Sequence, residues 1–170
     1  FEQYVNAGEA VAAKAFGDAK LRGRIMSCTP SGANDRGCFT TIIETFGRRA
    51  FRRPVTTAEV DRLVRVASEA FTAGEDATGA VRHLVATMLA SPAFLYRVEL
   101  DPTPGSGARR KLDGWELASR LSYFLWRTMP DDALFAAAED GKLVTSEGLR
   151  SHTRRLLEGE RARAFVDGFA

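Results

Sequence analysis

The chain has 170 residues and a mass of 18.6 kDa, with 24 Lys+Arg against 22 Asp+Glu and a formal net charge of +2. At 45% hydrophobic and 27% charged residues, with Gly 15 and Pro 6, it lies close to globular averages, which excludes disordered, collagen-like and low-complexity classes. The length suffices for one compact domain or two small ones with a real core, and no run approaches the roughly 18 uncharged apolar residues that a membrane span requires.

The chain begins at Phe1, and its first 25 residues lack the charged, apolar and small-residue order of a signal peptide. Phe39, Ile42, Ile43, Phe46 and Ala50 then recur at helical spacing, and Pro54 predicts the end of that helix because it restricts Arg53 and cannot donate a backbone hydrogen bond. Thr56 with Glu59 is a capping-box pattern that opens a second helix. There Val60, Leu63, Val64, Ala67 and Phe71 form the inner stripe and Asp61, Arg65 and Glu69 an outer charged ladder, with Gly74 closing it. A third stripe, Ala77, Val81, Leu84, Val85 and Met88, stops near Ser91 and Pro92. Three such stripes predict a small antiparallel bundle.

Residues 101 to 108 read Asp-Pro-Thr-Pro-Gly-Ser-Gly-Ala, the strongest loop signal in the chain. The expected organisation is therefore an N-terminal block over 1–100, a linker over 101–112 and a C-terminal block over 113–170. Asp113 with Glu116 marks the next helix start, followed by Trp115, Ala118, Leu121, Ser122 and Leu125, with Phe124 widening the stripe and Met129 and Pro130 stopping it. Asp131 or Asp132 can cap a short helix through Ala138, and Thr145 another that carries Leu149, Leu156 and Leu157; Gly159 separates a last one. Alternating β-branched runs are missing. The expected fold is all-α, with six or seven helices in two blocks. An amphipathic pattern is still running when the sequence stops, so Phe165, Val166 and Phe169 are expected to seek a partner, as in a piece of something larger.

Chemistry is sparse. Cys28 and Cys38 are separated by a loop containing Pro30, Gly32 and Gly37, which favours a disulfide. Two unpaired thiols remain open at this point, as does a zinc site with His83 and His152, although the usual ligand spacings are missing. Covalent haem c needs Cys-x-x-Cys-His, which does not occur here. His83 lies opposite its helix's apolar stripe and His152 beside one; both read first as ordinary helix-surface residues, and Met88 and Met129 as core filling. The Arg48, Arg49, Arg52, Arg53 cluster sits at a helix C-terminus, where cations complement the macrodipole. Its functional reading is docking on carboxylates of a partner or another domain. A net charge of +2 without an RNA- or DNA-binding motif argues against nucleic acid.

The order of motifs is more specific than any one of them. "RIMSCTPSG…GC" at 24–38, "FGRRAFRRPVTTAEVDRLV" at 46–64, "MLASPAFLYRVE" at 88–99, "LDGWELASRLSYFLWRTMPDDAL" at 112–134 and "GKL" at 141–143 together resemble a known family. These are the helical domains of unknown function of planctomycete cytochrome C-type exported multidomain proteins, also met in myxobacteria and their relatives. The resemblance implies export to the periplasm or cell surface and makes haem c an expectation for neighbouring domains or partners; in this chain, which lacks Cys-x-x-Cys-His, no cofactor is expected. Cys28 and Cys38 match paired cysteines of that family, which adds an oxidising compartment to the case for a disulfide. The family supplies no active-site residue to carry over.

Two functions follow as expectations. The first is a non-catalytic helical scaffold or docking module of an exported, cytochrome-associated electron-transfer assembly, with Arg48, Arg49, Arg52, Arg53, Phe165, Val166 and Phe169 as partner-binding residues. The second is part of an extracellular oxidoreductase completed by other domains, its site lined by polar groups such as Arg97, Glu99, Glu116 and Arg120. Clustering of those four in a concave pocket favours the enzyme; dispersal over solvated faces favours the module.

Overall fold

The computed structural model describes residues 2–97, 99, 110–163 and 167. The chain is all-α: about 75% is helical, and the described residues hold nine α-helices and no strand. It divides into two compact units, Phe1–Tyr96 and Arg97–Ala170.

The first unit is built around α5 (Ala77–Ala90), in which Ala80, Val81, Leu84, Val85, Ala86, Met88 and Ala90 are all buried. One stripe predicts an amphipathic helix, yet this helix is covered on several sides. Helices α3 (Arg36–Phe51) and α4 (Thr57–Thr72) pack on it through Phe39, Ile42 and Ile43 and through Val60, Leu63, Val64 and Ala67. Phe39 meets Phe71 edge-on, with ring centroids 6.1 Å apart. The Thr56–Glu59 capping box forms as expected, and Gly74 takes a positive φ of 101° just after the helix.

The structure adds helices that periodicity did not predict: α1 (Glu2–Gly17), α2 (Ala19–Ile25) and the single turn α6 (Pro92–Leu95). Helix α1 lies along α5 with Gly8, Ala12 and Phe16 buried at intervals of four. A stripe made of glycine and alanine carries little hydrophobic contrast, so a period search passes over it. Its value is steric, because a Cβ on Gly8 would stand 3.0 Å from the Ala86 carbonyl oxygen. A second correction concerns the end of α3. The chain reverses at Arg52, which adopts a left-handed conformation with φ 60°, before Pro54 can act.

Cys28 and Cys38 form a disulfide with Cα atoms 5.9 Å apart, tying the loop before α3 to its first turn. Asp35 caps that turn by accepting from the Cys38 amide, and Ser68 of α4 donates to the Ala33 carbonyl. Replacing both cysteines by serine is expected to lower unfolding free energy by about 3 kcal/mol through loop entropy, read by urea denaturation against the parent under non-reducing conditions. An unchanged midpoint would show that Asp35 and Ser68 hold the loop unaided.

The second unit contains α7 (Gly114–Trp126), α8 (Asp132–Glu139) and α9 (Ser146–Glu158), with 3-10 turns at Lys142–Val144 and Glu160–Ala162. Asp113 and Glu116 form a complete capping box, Asp131 rather than Asp132 caps α8, and Thr145 caps α9. The core joins Ala118, Leu125 and Trp126 to Leu134, Ala137, Ala138, Leu143 and Leu156. Trp126 is nearly buried, and its indole Nε1 donates to the Leu156 carbonyl at 2.9 Å. Phe124 and Leu157 do not join this core; they are 59% and 48% exposed. Each lies toward the flank of its helix, beyond the arc that the neighbouring helices cover. The expected residues Phe165, Val166 and Phe169 lie outside the described residues.

Candidate functional site

The arginine cluster at the end of α3 separates into distinct roles. Arg52 is 6% exposed, and its guanidinium donates to the carbonyls of Ala50, Ala93, Phe94 and Tyr96 at 2.8 to 3.1 Å. It thereby satisfies backbone acceptors of α6 that no intrahelical donor reaches. The expectation that all four arginines present themselves to a partner fails for Arg52, because burial turns its guanidinium inward. Arg53 makes a bidentate pair with Glu59 at 2.8 and 2.9 Å. Arg49 is exposed and Arg48 half-buried in the last turn of α3.

Glu59 serves two structures at once, since it also accepts from the Thr56 amide in the capping box. The Arg53 guanidinium, opposed by partial burial and helped by Thr56, holds its carboxyl down to about 2 from an ordinary 4.5. A carboxylate with a depressed folded-state value stabilises fully above the unfolded value and loses that contribution as pH falls through the folded one. Stability carried by Glu59 is therefore whole above about pH 4.5 and disappears toward pH 2. Glu59→Gln is expected to cost about 2 kcal/mol at pH 7 and to flatten the decline of thermal stability between those limits.

The four polar groups suggested for an enzyme site lie along α7 in the second unit, in separate contacts. Glu99 accepts from Arg120 through both carboxylate oxygens at 2.6 Å, and Glu116 accepts from Arg110 through both at 2.7 Å. Arg97 lies over the Tyr123 ring, 4.5 Å from its centroid. Hydrogen bonds from the guanidiniums lower both glutamates below the usual carboxylate range, and Glu99 raises Arg120. Arg120 is 61% exposed at its side chain. Carboxylates held ionised by bidentate guanidiniums are poor proton donors and have few lone pairs left to offer. The arrangement is a ladder of separate ion pairs along α7, solvated at Arg120 and partly buried at Arg110 and Glu116.

The corner around Trp126 is the other dense cluster. Arg155 pairs with both oxygens of Asp131, the α8 cap, and stands 5.7 Å from the Trp126 ring centroid; Arg161 stands 5.3 Å from it. Burial raises and Arg155 then lowers Asp131, with a net depression. Burial, then Arg155, lowers His152. His83 is exposed on α5.

The residues present do not fit haem c. Attachment consumes two thiols and a histidine, whereas Cys28 and Cys38 are joined to each other. The described residues also contain no group of three or more His, Cys, Asp or Glu arranged to hold a metal ion.

The geometry defines a class: a tandem of two small helical units, the first stapled by a disulfide and both tied at their helix starts by arginine–carboxylate pairs. Residues 38–99 match the family model of PSD5, a protein of unknown function (DUF1595), and residues 112–170 match that of PSD4, a protein of unknown function (DUF1592). The chain belongs to these families, which are the domains found in planctomycete cytochrome C-type multidomain proteins. No curated protein and no solved structure matches it. Among the described residues no helix is long and apolar enough to cross a membrane.

Proposed function

We propose that this chain is a non-catalytic docking module of an exported, cytochrome-associated electron-transfer protein, with haem c carried by neighbouring domains or partners. The observation that carries the reading is the tandem of a DUF1595 and a DUF1592 unit, the pair found in cytochrome C-type multidomain proteins. Two features support it. Glu59, Glu116 and Asp131 are each engaged both by an arginine and by a helix start. The disulfide suits the oxidising compartment that an exported protein enters.

The test is association with haem protein. The 170-residue chain is immobilised, and a c-type cytochrome domain from the same exported protein is passed over it. Retention, read at the haem Soret band, is expected at 20 mM salt and is expected to weaken as screening increases. Absence of retention at low salt overturns the reading, as does substrate oxidation by the chain alone.

A further inference from the structure

Among the described residues two buried side-chain polar atoms have no hydrogen-bond partner, and both lie on one stretch of α9: His152 Nδ1 and Arg155 Nε. Helix α9 is fastened at this stretch. Leu156 is fully buried, its carbonyl accepts from the Trp126 indole, and Arg155 ties the helix to Asp131, the cap of α8. His152 sits half-buried one turn before Leu156. The charges that act on it are Arg155 of its own helix, Asp131 from the start of α8 and Lys142 from the 3-10 turn, two cations against one carboxylate. Both oxygens of that carboxylate are engaged: Oδ1 accepts from the Leu134 amide and from Arg155, and Oδ2 accepts from Arg155. On α7, Glu116 and Arg120 are held by Arg110 and Glu99, and Arg161 of the Glu160–Ala162 turn stands over the Trp126 ring.

A neutral imidazole suits this position, because one of its ring nitrogens carries no proton and the buried Nδ1 can be that one. An imidazolium does not: it puts an N–H where no acceptor stands and adds a positive charge beside Arg155 and Lys142. We propose that His152 is an acid-sensitive latch on α9: uncharged, it lets the helix close over Trp126, and protonated, it loosens that stretch of α9 and uncovers the indole. Burial, then Arg155, lowers His152 from an ordinary 6.5, which has the same direction. A base lowered in the folded state binds its proton first in the unfolded chain, so stability is whole above about 6.5, falls as pH drops below it, and stops falling once pH is under the folded value. Carboxylates respond further down, since Glu59, Glu99, Glu116 and Asp131 are all held below their ordinary range. The latch thus has a pH window of its own, and it holds whether or not the chain docks on a cytochrome.

The test uses the whole 170-residue chain carrying Trp115→Phe, which leaves Trp126 as its one indole. The His152 ring is titrated by NMR, its signal assigned by its loss in His152→Gln, while acrylamide quenching of Trp126 and hydrogen exchange of the α9 amides, corrected for intrinsic rate, are followed from pH 7.5 to 5. The ring is expected to titrate below 6.5. With the same midpoint, the quenching constant is expected to rise about twofold and α9 protection to fall about tenfold, both reversibly. Glutamine is neutral over the whole range, so His152→Gln is expected to hold its pH 7 quenching and protection down to pH 5. An equal response in His152→Gln overturns the proposal and assigns the change to carboxylates. Titration of the ring at or above 6.5 overturns it as well, as does titration without a Trp126 response, which would mean that the imidazole swings into water and leaves the helix in place.

Discussion

Replacing Arg52 by alanine is expected to destabilise the first unit by about 3 to 4 kcal/mol, among the largest effects of any single side chain in the molecule. The substitution removes one guanidinium but strands acceptors on Ala50, Ala93, Phe94 and Tyr96. The Ala50 acceptor is buried and those of Ala93, Phe94 and Tyr96 are partly buried, so leaving them without a donor costs more than losing an exposed arginine. Arg52→Lys is expected to recover less than half, because an ammonium cannot span acceptors as a planar fork does. Arg52→Gly separates the two roles of the position. It relieves the left-handed backbone, worth about 1 kcal/mol, while still removing the clamp, so it should fall between the parent and the alanine variant. Urea unfolding followed by circular dichroism orders the three. An alanine variant as stable as the parent would show that water satisfies the carbonyls.

Gly8→Leu is expected to cost about 3 kcal/mol or more, against a propensity argument that predicts a gain of nearly 1 kcal/mol from removing glycine from a helix interior. The sign is decided by α5. A Cβ at position 8 already stands 3.0 Å from the Ala86 carbonyl oxygen and 3.4 Å from the Ala90 amide nitrogen, both backbone atoms that a rotamer change cannot move aside. The larger side chain must therefore push α1 off α5 and open the interface that Ala12 and Phe16 close. Gly23→Ala in α2 is the control, since nothing lies within 4 Å of its Cβ and propensity alone should act there, giving a gain of about 0.5 to 1 kcal/mol. A rise in stability for both variants would refute the close approach of α1 and α5.

The helix starts were legible in the residues because capping is local. Thr56 with Glu59 and Asp113 with Glu116 close their rings within four positions, and the same holds for Asp131 and Thr145. The buried stripes of α3 and α4 were legible too, since large apolar side chains at helical spacing leave a strong period. Helix α1 was not, because an interface of Gly8 and Ala12 is selected for closeness of approach and shows no hydrophobic contrast. The arginines were visible as a cluster but their commitments were not. Arg52 is bound to carbonyls more than forty positions away, and chain order says nothing about which backbone ends lie beside it. Leu156 and Leu157 are identical in composition and adjacent in sequence, yet one is sealed in the core and the other is 48% exposed. Local side-chain chemistry, acting over a turn of helix, determined where the helices begin and that the fold is all-α. The tertiary structure alone decided which faces are covered and which charges are paired with which, because burial and ion pairing depend on distances between segments that the sequence does not contain.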